Sequence, residues 1–80
     1  MPGLSDSRPV ATLWQLAWRG ARLSCLVYRD GEGYELRLES ASTVIFTEPF
    51  DLQPRMMART EALRASLKRR GWRDEPVANP

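Results

Sequence analysis

LWQLAWRGARLSCLVYRDGEGYELRL, running from Leu13 to Leu38, is the stretch that decides the fold. Apolar residues recur at every second position on either side of two glycine-bearing turns, which is the period of strands with one buried face. Gly20-Ala21 reads as a type II′ turn and Asp30-Gly31 as a type I′ turn. Closing the first turn sets Trp18 opposite Leu23, Leu16 opposite Cys25 and Trp14 opposite Val27. Closing the second pairs Arg29 with Glu32, Val27 with Tyr34, Cys25 with Leu36 and Leu23 with Leu38. Both turns give one three-strand meander with Trp14, Leu16, Trp18, Leu23, Cys25, Val27, Tyr34, Leu36 and Leu38 pointing inward.

A fourth strand follows at Thr43 to Thr47. A three-residue loop at Ser40 to Ser42 puts Val44 and Phe46 inward, whereas a two-residue loop puts Ile45 there; the first buries more apolar surface and is preferred. At Asp51 the apolar period changes from two residues to helical spacing, with Met56, Thr60, Leu63 and Leu67 on one stripe. Asp51 is placed to cap the helix, and Pro54 falls in its first turn, where the missing N–H is harmless. Gly71 suits the left-handed position just past Arg70, with Trp72 folding back on Leu67. The expected fold is α+β: an antiparallel meander of three or four strands with one C-terminal helix packed on one face. Residues 12–73 form the single domain. The flanks, 1–11 and 74–80, hold four of the six prolines and few large apolar residues, and read as disordered tails.

The 80 residues give a core of modest size, so self-association is one route to added stability. Cys25 is the only cysteine and there is no histidine, which removes an internal disulfide and the usual zinc ligands. These features point to a reducing, cytoplasmic setting, and no stretch has the run of apolar residues that a membrane span needs. Charge is uneven. Residues 30–51 carry six carboxylates against Arg37 alone, while residues 52–73 carry seven cations against Glu61. Eleven of the twelve cations are arginine, spread over strands, helix and tail alike.

Several residues resemble a family of small uncharacterised bacterial proteins. They are the tryptophan near the start of strand one, Cys25 in strand two, the Gly33-Tyr34-Glu35-Leu36-Arg37 run in strand three, Phe50 before the helix, Ala58 and Ala62 within it, and the closing Gly71-Trp72. The likeness spans Leu13 to Trp72 and implies a compact antiparallel sheet with a helix across it, with no activity to carry over.

No residue pattern supplies catalytic chemistry. A nucleophile needs a base in reach, and the one thiol lies mid-strand on the inward face, where burial raises its pKa. Glu35 and Glu39 share a sheet face with Arg22 and Arg37 and read as cross-strand charge pairs, Arg22 facing Glu39. The expectation is therefore a non-enzymatic protein-interaction or accessory module with no cofactor or metal, its partner an unknown protein or a second copy. The open sheet face offers Leu13, Ala17, Leu26 and Tyr28 as an apolar interaction patch. Single-stranded nucleic-acid binding is the alternative, since single-stranded DNA-binding transcription cofactors share a similar order of four strands and a helix. In that reading Arg55, Arg59, Arg69 and Arg70 contact phosphate. It is not favoured, because the tryptophans lie on the face the helix covers and the helical cations do not share one stripe.

Overall fold

The computed structural model describes residues 8–41 and 43–77. Its elements are β1 (Ala11–Trp18), β2 (Ala21–Asp30), β3 (Gly33–Ser40), β4 (Thr43–Phe50), α1 (Gln53–Arg69) and β5 (Arg73–Glu75). All strand pairs are antiparallel and the sheet order is β4-β3-β2-β1-β5. The fold is α+β, but the sheet has five strands rather than three or four. The helix is also not the last element. Arg73, Asp74 and Glu75 pair with Ala17, Leu16 and Gln15 on the outer side of β1, so Asp74 and Glu75 belong to the sheet and not to a tail. Of the remainder of the expected tails, Met1 to Ser7 and Ala78 to Pro80 lie outside the described residues, while Ala11 opens β1.

Both hairpins are shifted by two residues from the expected register. The first turn is Arg19-Gly20, with both residues at positive φ (52° and 82°), and Trp18 faces Ala21, Leu16 faces Leu23 and Trp14 faces Cys25. The second turn is Gly31-Glu32, with Gly31 at φ 63°, and Val27 faces Leu36 while Cys25 faces Leu38. A shift of two leaves every side chain on its face, so hydrophobic period alone does not separate the two registers. Cross-strand chemistry does. The expected first turn sets Arg19 against Arg22, whereas the observed one sets Arg22 against Ala17, which avoids a like-charge pair. In the second hairpin Arg29 comes opposite Tyr34, and its guanidinium lies 5.1 Å from the ring centroid.

Two bulges adjust the faces. In β1 the register slips between Thr12 and Trp14, and Leu13 packs against the buried cluster. In β4 it slips so that Val44 faces Glu39 while Phe46 faces Leu38, leaving Ile45 as the extra residue. Phe46 packs on the core as expected, whereas Val44, expected inward, is 46% exposed and Ile45 52%. Ser40 pairs with Thr43, so the connection is two residues long, and the bulge restores Phe46 to the inward face that this short loop would otherwise deny it.

The core consists of Trp14, Leu16, Leu23, Cys25, Val27, Leu36, Leu38 and Met56, with Tyr34, Met57, Leu63, Leu67 and Trp72 packed against it. Seven of the nine residues expected inward are thus buried. Tyr34 is half-buried, and Trp18, at 40% exposure, lies at the rim. The two-residue shift sends Trp18 toward the hairpin end, where its ring meets Trp72 at 5.7 Å and carries the Arg19 guanidinium at 4.7 Å. The helical stripe is as read from spacing: Met56 and Thr60 are fully enclosed, and the Thr60 hydroxyl donates to the Met57 carbonyl at 3.0 Å.

Only the C-terminal end of the helix is capped as expected. Leu52, not Asp51, holds the N-cap position, in extended backbone and without a side-chain cap, while Pro54 lies in the first turn. At the C-terminus the Trp72 N–H donates to the Leu67 carbonyl at 3.2 Å and the Gly71 N–H to that of Lys68 at 3.1 Å, with Gly71 at φ 114°. This is the Schellman arrangement expected from Gly71-Trp72. It also turns the chain back so that β5 reaches β1.

Two glycines are fixed for different reasons. A Cβ at Gly33 would sit 2.6 Å from the Phe50 carbonyl oxygen, a backbone atom with little room to yield, whereas one at Gly31 would meet nothing within 4 Å. Gly33→Ala is expected to lower unfolding free energy by about 1 to 3 kcal/mol. Gly31→Asn, which keeps the left-handed conformation accessible, should stay within about 0.5 kcal/mol of wild type. Chemical-denaturation midpoints measure both, and equal losses would place the constraint elsewhere.

Candidate functional site

Alternation along the strands makes the second sheet face polar, and four of its side chains form a closed network. Tyr28 faces Glu35 across β2 and β3, and Leu26 faces Arg37. The Arg37 guanidinium covers the Tyr28 ring at 3.9 Å and donates to Glu35 at 3.0 Å, while the Tyr28 hydroxyl donates to Glu39 at 3.3 Å. Tyr28 is therefore buried rather than displayed. Burial, and then the Glu39 carboxylate, raises its pKa. The expected apolar patch does not assemble: Leu13 is drawn to the core by its bulge, Tyr28 lies beneath Arg37, and Ala17 and Leu26 are half-buried.

Beside this network an open hollow of about 700 Å³ is lined by Gln15, Ala17, Arg22, Ser24 and Glu75 among others. Four of its polar side chains are already engaged with one another. Gln15 Nε2 donates to Ser24 Oγ at 2.9 Å, and Arg22 makes a two-pronged contact with Glu75 at 2.6 and 3.2 Å. Arg22 thus meets Glu75 of β5 in place of the expected Glu39, which the register sets opposite Ser24. The signal missed in the sequence was the Arg73-Asp74-Glu75 segment itself, three charged residues with no apolar period.

The helical cations divide into two groups. Arg64 and Lys68 both hold Asp74, with Arg64 Nη2 at 2.9 Å, and Arg64 also lies 3.8 Å from Glu61. Arg59, one of the expected phosphate contacts, is bonded to Glu48 of β4 at 3.0 Å. Arg55, Arg69 and Arg70 are exposed and have no ion pair among the described residues. Hydrogen bonds from Lys68 and then Arg64 hold the Asp74 carboxyl below its ordinary pKa.

Cys25 is completely enclosed between Trp14 and Leu38, and burial pushes its thiol pKa up to about 12. At neutral pH it is a small apolar side chain. Among the described residues no three His, Cys, Asp or Glu side chains converge as a metal site, and no helix is long and apolar enough to cross a membrane.

The two edges of the sheet are unlike. One is β5, three charged residues followed by Pro76. The other is β4, eight residues long, whose Thr43-Val44-Ile45-Phe46-Thr47 run carries no charge and whose Val44 and Ile45 side chains are about half exposed. Edge strands of this second kind are open templates for pairing with another chain. Among the described residues, two of the five exposed large hydrophobic side chains, Val44 and Ile45, lie side by side on this strand. The sequence places a strand here but assigns Val44 to the core, because in the consecutive apolar residues Val44-Ile45-Phe46 period does not reveal which one is bulged out.

Comparison with protein-family models, curated proteins and solved structures found no match.

Two titrations follow. Asp74 has a lowered folded-state pKa, so its contribution to stability is present above the ordinary carboxyl range and is lost as pH falls through that range and below it. Asp74→Asn should therefore lower the melting temperature at pH 7 and flatten the acid limb of the stability curve; an unchanged limb would mean that the Lys68 and Arg64 contacts contribute nothing in solution. Cys25 has a raised pKa, so its share of stability is intact below its ordinary value of 9.0 and declines as pH rises toward about 12. Labelling by a thiol reagent at pH 8 should occur only as fast as the protein opens. Labelling at the rate of unfolded chain would contradict the buried placement.

Proposed function

We propose that this chain is a non-enzymatic protein-interaction module of the cytoplasm that binds through the outer edge of β4. In this reading α1 lies over one face of the sheet, and the family resemblance carried by Cys25, the Gly33 to Arg37 run and Gly71-Trp72 reflects that architecture alone. The observation that carries the proposal is the uncharged Thr43 to Thr47 edge with Val44 and Ile45 half exposed. Support comes from what the remaining groups do. The thiol is enclosed, the sequence has no histidine, and the open-face polar side chains bond to one another. No cofactor enters the proposal.

Nucleic-acid binding draws on Arg55, Arg69 and Arg70, whose ion-pairing capacity is free among the described residues. Against it, Arg59, Arg64 and Lys68 are already neutralised by carboxylates, and the sheet face that would stack bases has its tyrosine under a guanidinium. Phosphate contacts give steep salt dependence.

An amide chemical-shift titration with a single-stranded oligonucleotide in about 0.1 M salt, a regime in which surface charges are still felt beyond one contact distance, separates the two readings. The interaction-module reading predicts no saturable shifts. Micromolar binding that weakens steeply with salt and is lost in Arg69→Gln/Arg70→Gln would overturn it.

A further inference from the structure

We infer that the occupant of the β4 edge is a second copy of this chain, paired antiparallel about a two-fold axis so that two five-stranded sheets join as one. The inference rests on the interaction-module reading and names its partner. It follows from the inequality of the two edges. A sheet edge extends only by meeting another strand with free N–H and C=O groups, and within a population of this chain the candidate strands are β4 and the opposite side of the sheet. That opposite side is blunted by length and charge: β5 has only three residues, all of them charged, and Pro76 follows at once. Head-to-tail growth, β4 onto β5, is disfavoured. The strand best matched to β4 is another β4, and that contact is self-complementary and closes at two subunits.

Charge permits the contact. The Thr43 to Thr47 run has no ionisable side chain, so two copies in antiparallel register bring no like charges together there. Glu48, next along the strand, is bonded to Arg59 of its own chain at 3.0 Å, which leaves each end of the paired segment locally neutral. Pro49 has no N–H and ends the segment that can pair. Val44 and Ile45, 46% and 52% exposed in the single chain, are the apolar side chains that pairing would cover. A contact of about five residues per copy is smaller than the roughly 20 to 30 residues a side of a standard stable interface, so the dimer should be weak and dissociate at micromolar rather than nanomolar concentration.

Sedimentation equilibrium of the full chain over about 5 to 500 μM tests this at about 0.1 M and about 1 M salt, where screening removes surface electrostatics but not apolar burial. The expected result is a monomer–dimer equilibrium whose dissociation constant changes less than about threefold with salt, and which weakens at least tenfold in Ile45→Lys. Val44→Lys should act alike, and as both side chains are half exposed in the monomer, dilute-solution melts should stay near wild type. A wild-type protein that remains monomeric throughout, forms open-ended assemblies, or dimerises equally well as Ile45→Lys would overturn the proposal. Any of these leaves the interaction-module reading standing, because that reading falls on the oligonucleotide titration instead.

Discussion

The return of the chain from α1 to β1 is the constraint on which the rest of the structure depends. Leu67 and Lys68 carbonyls accept the Trp72 and Gly71 N–H groups, Gly71 takes the left-handed turn, and Asp74 comes within reach of Lys68 and Arg64 while Arg73 to Glu75 pair with β1. Each contact is small by itself. A Schellman closure and each hydrogen bond of a three-residue ladder are individually worth about 1 kcal/mol, and the two ion pairs on Asp74 are solvent-exposed and weaker. Together they tie the end of the helix to one side of the sheet, and in doing so they cover that edge at Gln15 to Ala17.

From this closure follows the difference between the edges. β5 caps the side of β1 with short, charged strand, and Arg22 reaches over to Glu75 from β2, bracing the cap on the polar face. β4 receives no such cover. Among the described residues its one ion pair to the helix is Arg59–Glu48, and while Phe46 packs on the core, Val44 and Ile45 stay at the surface. The open face, by contrast, is chemically occupied: Arg37 stacks on Tyr28 and bonds Glu35, and Gln15 bonds Ser24. A functional account built on the face would have to break these contacts, whereas one built on the edge breaks none.

Much of the architecture was legible in the sequence because it depends on period. Inward residues of β1 to β3, the Met56 to Leu67 stripe and the Gly71-Trp72 terminus were all readable, as these patterns are local and repeat. What escaped were features decided by one pairwise contact. The two-residue register shifts hinge on whether Arg22 faces Arg19 or Ala17 and on Arg29 meeting Tyr34, and both registers satisfy the same alternation. The bulges at Leu13 and Ile45 each insert one residue and move the ladder by one from there on, and both fall within consecutive apolar residues, Leu13-Trp14 and Val44-Ile45-Phe46, where period does not say which residue is the extra one. β5 was missed because a three-residue charged strand has no hydrophobic signature, and it exists only because the helix terminus delivers it to β1. The candidate site inherited these gaps: Tyr28 was placed on the right face but not beneath Arg37, and Val44 was assigned to the core.

Hydrogen exchange of individual amides as a function of protein concentration tests the central claim, that the outer side of β4 is the edge that pairs with a second copy. The account predicts that protection in the Thr43 to Thr47 segment rises between dilute and concentrated protein, while amides of β2 and β5 keep the same protection at both. Concentration-dependent protection appearing at β5 or at the open face instead, with β4 unchanged, would contradict it.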